Sequence, residues 1–274
     1  MDIVTVSRFR RATSRSDLAL APGEVFMGGG TWLMSEPQPV TTGFVDLTTL
    51  GWPDLEITDT GLRIGATCTI ATLRAWAGGR HELALPEAWR AASMIPEAAD
   101  ALLASFKIWH TATVGGNICR AFPAGAMISL AVGLDATAEV WGVDGSTRAM
   151  PVSDLVTGNA VTCLAPGEVL RAINIPQSAL ASRAHLKKIA LAELGRSGAV
   201  VTGREDSDGS TVFVVTAAVE RPVVLRFTAL PDAATLRTAI GTATGFYSDP
   251  LGSADWRRAV SMVLGERIRE ELRA

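Results

Sequence analysis

Cysteine is scarce: Cys68, Cys119 and Cys163 are the only three in 274 residues, and they stand far apart. No CxxC pair and no Cys/His spacing occurs, which argues against a zinc or iron–sulfur centre held by this chain. An odd, dispersed set also suits reducing surroundings, so a cytoplasmic protein is expected. Long apolar runs are missing too. No stretch approaches the roughly 18 residues that a membrane-spanning helix needs. The opening Met-Asp-Ile-Val-Thr-Val lacks the basic-then-apolar layout of a signal peptide, and none is expected. Neither charge sign dominates, since 25 Lys and Arg face 28 Asp and Glu for a net charge of −3. Apart from a modest cluster at Arg8, Arg10, Arg11 and Arg15, the basic residues are scattered, so no footprint for nucleic acid is visible. Three common motifs are absent. There is no GxxxxGKS/T phosphate loop, no GxGxxG with a following acidic residue, and no GxSxG nucleophile elbow.

What is present is apolar. Hydrophobic residues make up 48% of the chain and charged residues 19%, a balance that fits a folded protein with a large buried core and excludes disorder. Val25-Phe26-Met27 is strand-like and runs into Gly28-Gly29-Gly30-Thr31. Trp32-Leu33-Met34 then suits a helical turn and Phe44–Leu47 a second strand, the layout of a βαβ unit. Ser16 is a candidate N-cap for a short helix ahead of them. Leu62–Thr67 alternates as a half-buried strand does, and Ile70, Leu73 and Trp76 recur at helical spacing. Pro86 is placed to open a helix over 87–94, with another over 98–106. Strands are expected at 138–141 and 148–150 around the turn Asp144-Gly145, and at 169–175. Beyond Pro176 the pattern gives four strands near 184–190, 199–202, 211–219 and 223–227, followed by two helices. In the last of these, Trp256, Val260, Leu264, Ile268 and Leu272 form one apolar stripe. The pattern divides the chain into units 1–53, 54–175 and 176–274.

Two glycine loops carry the chemistry. Gly28-Gly29-Gly30-Thr31 follows a strand, and glycine permits both positive φ and close approach to the backbone. Successive N–H groups in such a turn converge into a nest for phosphate oxygens, and the Thr31 hydroxyl adds a hydrogen-bonding group. Thr113-Val114-Gly115-Gly116-Asn117 follows the same logic, with side-chain donors at either end. Each loop alone reads first as an ordinary turn; two in one chain bring a diphosphate held between them level with that reading.

These motifs, taken in order, resemble the FAD-binding medium subunits of molybdenum hydroxylases of the xanthine dehydrogenase and carbon monoxide dehydrogenase type. The resemblance runs through Gly28-Gly29-Gly30-Thr31-Trp32-Leu33, Arg63-Ile64-Gly65-Ala66-Thr67 and Ala112-Thr113-Val114-Gly115-Gly116-Asn117. It continues through Pro123-Ala124, Leu134-Asp135-Ala136, Gly167-Glu168-Val169-Leu170 and Ile175-Pro176. It implies an α+β protein: a two-subdomain FAD-binding fold of the PCMH, vanillyl-alcohol-oxidase-like type, followed by a small α+β C-terminal domain. It further implies an oxidoreductase component with FAD at Phe26, Met27, Gly28, Gly29, Gly30, Thr31, Trp32, Leu33, Thr113, Gly115, Gly116 and Asn117. Leu170 is implied beside the cofactor, together with a lysine that is Lys187 or Lys188, of which Lys188 is carried forward. The implied partners are a large molybdopterin-binding subunit and a small subunit with 2Fe–2S clusters, in a heterotrimer. This chain would pass electrons to NAD or another acceptor. No catalytic acid or base and no metal ligand is implied here. His81, His110 and His185 read as ordinary histidines, with His110 close enough to Thr113 to support the second loop.

Three departures from the family pattern stand out. Trp32 replaces the aspartate of the first loop, Trp109 replaces the arginine before the second, and Ala126 replaces an aspartate after it. Two other readings stay open: a stand-alone flavin oxidoreductase and, because of Ala126, a non-redox assembly module of the same fold that has lost FAD.

Overall fold

The computed structural model describes residues 3–274, so the first two residues of the sequence reading lie outside it. The chain begins with a three-stranded parallel sheet of β1 (Arg8–Arg11), β2 (Glu24–Met27) and β3 (Gly43–Asp46), in the order β1-β3-β2. Every residue of central β3 is buried. The link from β2 to β3 contains turns but no helix. Bonds from Met34 N–H to Gly30 O (2.8 Å) and from Glu36 N–H to Trp32 O (3.2 Å) close it, in place of the expected βαβ crossover. Ser14, not Ser16, caps the short 3₁₀ turn Arg15–Leu18, because Asp17 returns its carboxylate to the Ser14 N–H in a capping box.

Arg10 and Glu24 tie β1 to β2 across this sheet at 2.7 Å, with the glutamate side chain almost fully enclosed. The Arg10 side chain, aided by the Ala21 N–H, holds the Glu24 carboxyl down at about 2. A carboxylate depressed in the folded state stabilises it above the ordinary carboxylate value, and that contribution is lost as pH falls towards the folded-state value. Glu24→Gln is therefore expected to be less stable than the parent at neutral pH. The gap should close as urea denaturation is repeated at pH values stepping from 5 towards 2. A gap independent of pH would show that the pair contributes no linkage.

A five-stranded antiparallel sheet follows: β4 (Leu55–Thr58), β5 (Gly61–Gly65), β6 (Thr137–Trp141), β7 (Thr147–Pro151) and, at its centre, β10 (Val169–Pro176). Between β5 and β6 run α1 (Ile70–Ala77), α2 (Met94–Ala101), α3 (Phe106–Trp109), α4 (Val114–Arg120) and α5 (Ala126–Gly133). The helix expected over 87–94 begins only at Met94, after the 3₁₀ turn Arg90–Ser93. Pro96 takes the first turn of α2, where its missing N–H costs nothing. Helix α2 ends at Ala101, so the helix expected over 98–106 is broken by an extended Leu102. Between β7 and β10 lie α6 (Val152–Leu155) and the hairpin of β8 (Val156–Gly158) with β9 (Val161–Thr162).

After α7 (Gln177–Ala181) the chain forms a four-stranded antiparallel meander: β11 (Arg183–Ile189), β12 (Ala199–Glu205), β13 (Thr211–Thr216) and β14 (Val223–Phe227). Helices α8 (Ala233–Gly241) and α9 (Ala254–Arg273) complete it. On α9 the lower part of the expected stripe, Leu264, Ile268 and Leu272, is buried in a core with Val201, Phe213 and Val215. Trp256 and Val260 are half-buried.

All eight residues of α5 are buried, as suits a helix apolar on every side. It packs on β12 and β13 of the meander as well as on α2 and α4. Ser129 and Thr216 share a 2.6 Å hydrogen bond across that contact. One apolar core consequently runs from Leu62 through Leu130 and Ile173 to Val214, across Ile175-Pro176. Among the described residues, no helix is long and apolar enough to cross a membrane, and no group of three His, Cys, Asp or Glu side chains gathers as a metal site.

Candidate functional site

The first glycine loop leaves the buried end of β2 and meets the second loop at backbone distance. A Cβ on Gly29 would stand 1.6 Å from the Thr111 carbonyl oxygen, and one on Gly28 2.6 Å from Thr113 Oγ1. Gly30 adopts φ +68°, the left-handed region. The second loop is stitched to the stretch after β5, with Gly115 N–H donating to Ala66 O (2.9 Å), Val114 N–H to Cys68 O (2.9 Å) and Ile70 N–H to Ala112 O (3.0 Å). A Cβ on Gly115 would lie 2.6 Å from that of Ala66. Gly29 and Gly115 are therefore required by protein packing, and Gly30 by conformation.

Between the loops lies a cleft of about 800 Å³, within the range of small-molecule sites. One wall is Phe26 together with Gly28, Gly29, Gly30, Thr31, Trp32 and Leu33; the facing wall includes Thr113, Gly116 and Asn117. Of the residues expected at the site, these ten line the cleft. Met27 and Gly115 are buried behind it. The backbone N–H groups of Gly28, Gly29, Thr31 and Leu33 donate to no protein acceptor, so the first loop carries free main-chain donors. On the second loop the side chains already have structural partners. Thr113 Oγ1 accepts from Gly116 N–H (3.0 Å) as the N-cap of α4. Asn117 Oδ1 accepts from Met127 N–H (3.0 Å), fastening the loop to α5.

Leu170 and Lys188 stand apart from the cleft. Leu170 is 3% exposed within the apolar core, because β10 is the middle strand of its sheet. Lys187 and Lys188 point to opposite faces of β11, as strand alternation requires. Lys187 pairs with Glu271 of α9 at 2.7 Å, whereas Lys188 reaches the Asp100 carbonyl oxygen at 3.4 Å, next to Ala101 and Leu102 on the cleft rim. Of the departures, Trp32 lines the cleft and Trp109 packs on the core under the Arg74 guanidinium. Ala126 is 2% exposed at the start of α5. His110 is exposed and ends α3.

The rest of the lining includes residues that local patterns did not reveal: Arg120, Phe122, Arg196, Glu220, Tyr247 and Asp249. Fully buried Arg257 organises the last of these. It donates to Gly198 O (2.6 Å) and Ala217 O (3.0 Å), reaches Asp249 at 2.5 Å and stacks over Tyr247 at 4.2 Å. Burial alone would raise the Asp249 carboxyl, but the Leu251 N–H, Arg257 and Arg196 outweigh it and hold it below its ordinary value. Burial pushes the nearby Cys119 thiol up to about 12, so it remains an unreactive thiol.

A cleft of nucleotide size, edged by free main-chain donors, marks a protein that binds a diphosphate-containing cofactor. The chain belongs to the family described as FAD binding domain in molybdopterin dehydrogenase, whose model matches residues 12–178. It is thus an FAD-binding component of an oxidoreductase. Its fold is shared with quinoline 2-oxidoreductase from Pseudomonas putida 86, at 20% identity over 97% of this chain and 96% of that one, with a TM-score of 0.78. The Cu,Mo-CO dehydrogenase in its cyanide-inactivated form is similar at 23% identity over 97% of both chains, TM-score 0.81. Reconstituted CO dehydrogenase from Oligotropha carboxidovorans is similar at 23% identity over 96% of both, TM-score 0.80. At these identities the likeness is one of fold. A comparison with curated proteins returned no match.

Proposed function

We propose that this chain is the electron-transferring flavin subunit of a molybdenum hydroxylase. In this reading a large molybdopterin-binding partner oxidises the substrate, and a small partner with 2Fe–2S clusters passes the electrons on. This chain would hold FAD, through which the electrons would pass to a final acceptor such as NAD. The carrying observation is the row of unbonded N–H groups at Gly28, Gly29, Thr31 and Leu33 on a cleft wall. Such donors suit diphosphate oxygens and need no side chain. FAD, when bound, accepts electrons singly and releases two together.

The chain's own residues bind and orient. Phe26 and the Gly28–Leu33 loop form one side of the diphosphate site, and Thr113, Gly116 and Asn117 the other. Met27 and Gly115 support the loops from behind, and Tyr247 and Asp249 close the cleft from the link between α8 and α9. We assign residues 1–53 and 54–175 to the two FAD-binding subdomains and 176–274 to the C-terminal domain.

The test is co-purification of the tagged chain from its own cells, with metal and flavin content measured on the recovered complex. The proposal predicts two further subunits, with molybdenum and iron in the same fractions as flavin. A complex holding flavin with neither metal would contradict it.

A further inference from the structure

Arg120, the last residue of α4, is a charged side chain on the cleft wall with no ionic partner. Its guanidinium carbon lies 3.7 Å from the Trp32 ring centroid and 4.3 Å from that of Phe122, and the two rings meet edge to face at 6.4 Å. Its Nε is buried without a hydrogen-bond partner. The other cation on the walls, Arg196, is committed to Asp249 at 2.6 Å, which also receives Arg257. Among the described residues Arg120 joins no ion pair. Burial lowers its pKa, opposed by the charge of Glu36, yet guanidinium stays protonated in proteins.

A partly desolvated cation without a counter-ion is costly, and an anionic ligand relieves that cost. The two rings fix the guanidinium plane through cation–π contact, leaving its edge free to bind oxygen atoms in a fork. Trp32 belongs to the very loop whose N–H groups at Gly28, Gly29, Thr31 and Leu33 are unbonded. Trp32 orients the guanidinium and places no carboxylate beside it.

We propose that Arg120, held in place by Trp32 and Phe122, binds the diphosphate of FAD and adds a charge pair to the main-chain donors of the glycine loop. This rests on the flavin-binding reading above. Arg120 is then a binding residue and Trp32 its positioning residue.

The test is FAD titration of flavin-depleted protein, read by flavin fluorescence at low and high salt, for the parent, Arg120→Met and Arg120→Lys. A charge-assisted pair of this kind corresponds to about tenfold to a hundredfold in affinity. Arg120→Met is expected to lose that much at low salt and to lose most of the parent's salt dependence, with Arg120→Lys recovering part of both. Circular dichroism confirms that each variant is folded. The assignment is overturned if Arg120→Met binds within twofold of the parent. It is also overturned if the variant weakens but keeps the parent's salt dependence, or shifts the flavin midpoint potential with affinity intact. Failure of the folded parent itself to bind FAD is a separate result that removes the flavin-binding reading, and this proposal with it.

Discussion

Gly29→Ala is expected to purify without flavin and with lowered stability, the largest effect of any single methyl added to this chain. The added carbon would stand 1.6 Å from the Thr111 carbonyl oxygen and 2.5 Å from its carbon. Both neighbours are backbone, and Thr111 is anchored on one side by Ala112 N–H to Ile108 O at 2.7 Å, so relief requires the loops to separate. Overpacking of this kind costs about 1–3 kcal/mol or more, and separation opens the cleft between Thr31 and Thr113. Gly158→Ala is the matched control, because its nearest neighbour is Val161 at 3.7 Å, ordinary van der Waals contact. Thermal denaturation and the flavin-to-protein absorbance ratio of both variants check the expectation. Gly29→Ala with the parent's melting temperature and flavin content would mean that the loops do not meet as described.

Arg257→Met is expected to be the most damaging substitution in the C-terminal part. Arg257 is fully buried, and its loss strands the Gly198 carbonyl oxygen, leaves Ala217 O with only the Tyr247 hydroxyl as side-chain donor, and removes one of the two arginines on Asp249. Breaking a buried pair by removing one partner costs about 3–5 kcal/mol, which for a chain of this size lowers Tm by about 10 °C or more. Because Tyr247 and Asp249 line the cleft, flavin affinity should fall with it. Urea denaturation with and without added FAD separates the two effects. A loss under about 1 kcal/mol would show that methionine packing compensates for the missing guanidinium.

The parts of the site that the sequence exposed are local ones. Gly28–Thr31 and Thr113–Asn117 declare themselves because turn chemistry is written in consecutive residues, and the strand pattern around them follows the period of two. The roles of individual glycines are not local. Gly29 and Gly115 face protein backbone and side chain that arrive from Thr111 and Ala66, which no spacing rule reveals. Arg196, Tyr247 and Asp249 reach the cleft only because α5 packs on β12 and β13 and brings the C-terminal part of the chain alongside. Trp32 read most simply as one more core tryptophan, and only its contact with Arg120 distinguishes it. The resemblance drew attention to Leu170, which the central position of β10 buries. The broken helix between Ala101 and Phe106 had a misleading run of alanine and leucine, although Leu102 and Leu103 there line the cleft.

The most direct measurement is the visible absorption spectrum of the purified protein, before and after addition of FAD and removal of the excess. Flavin bands retained near one per chain, and bleached by a reductant, are the predicted result. A folded protein that retains no flavin, alone and in complex with its partners, would contradict the account and leave the glycine loops as structural turns.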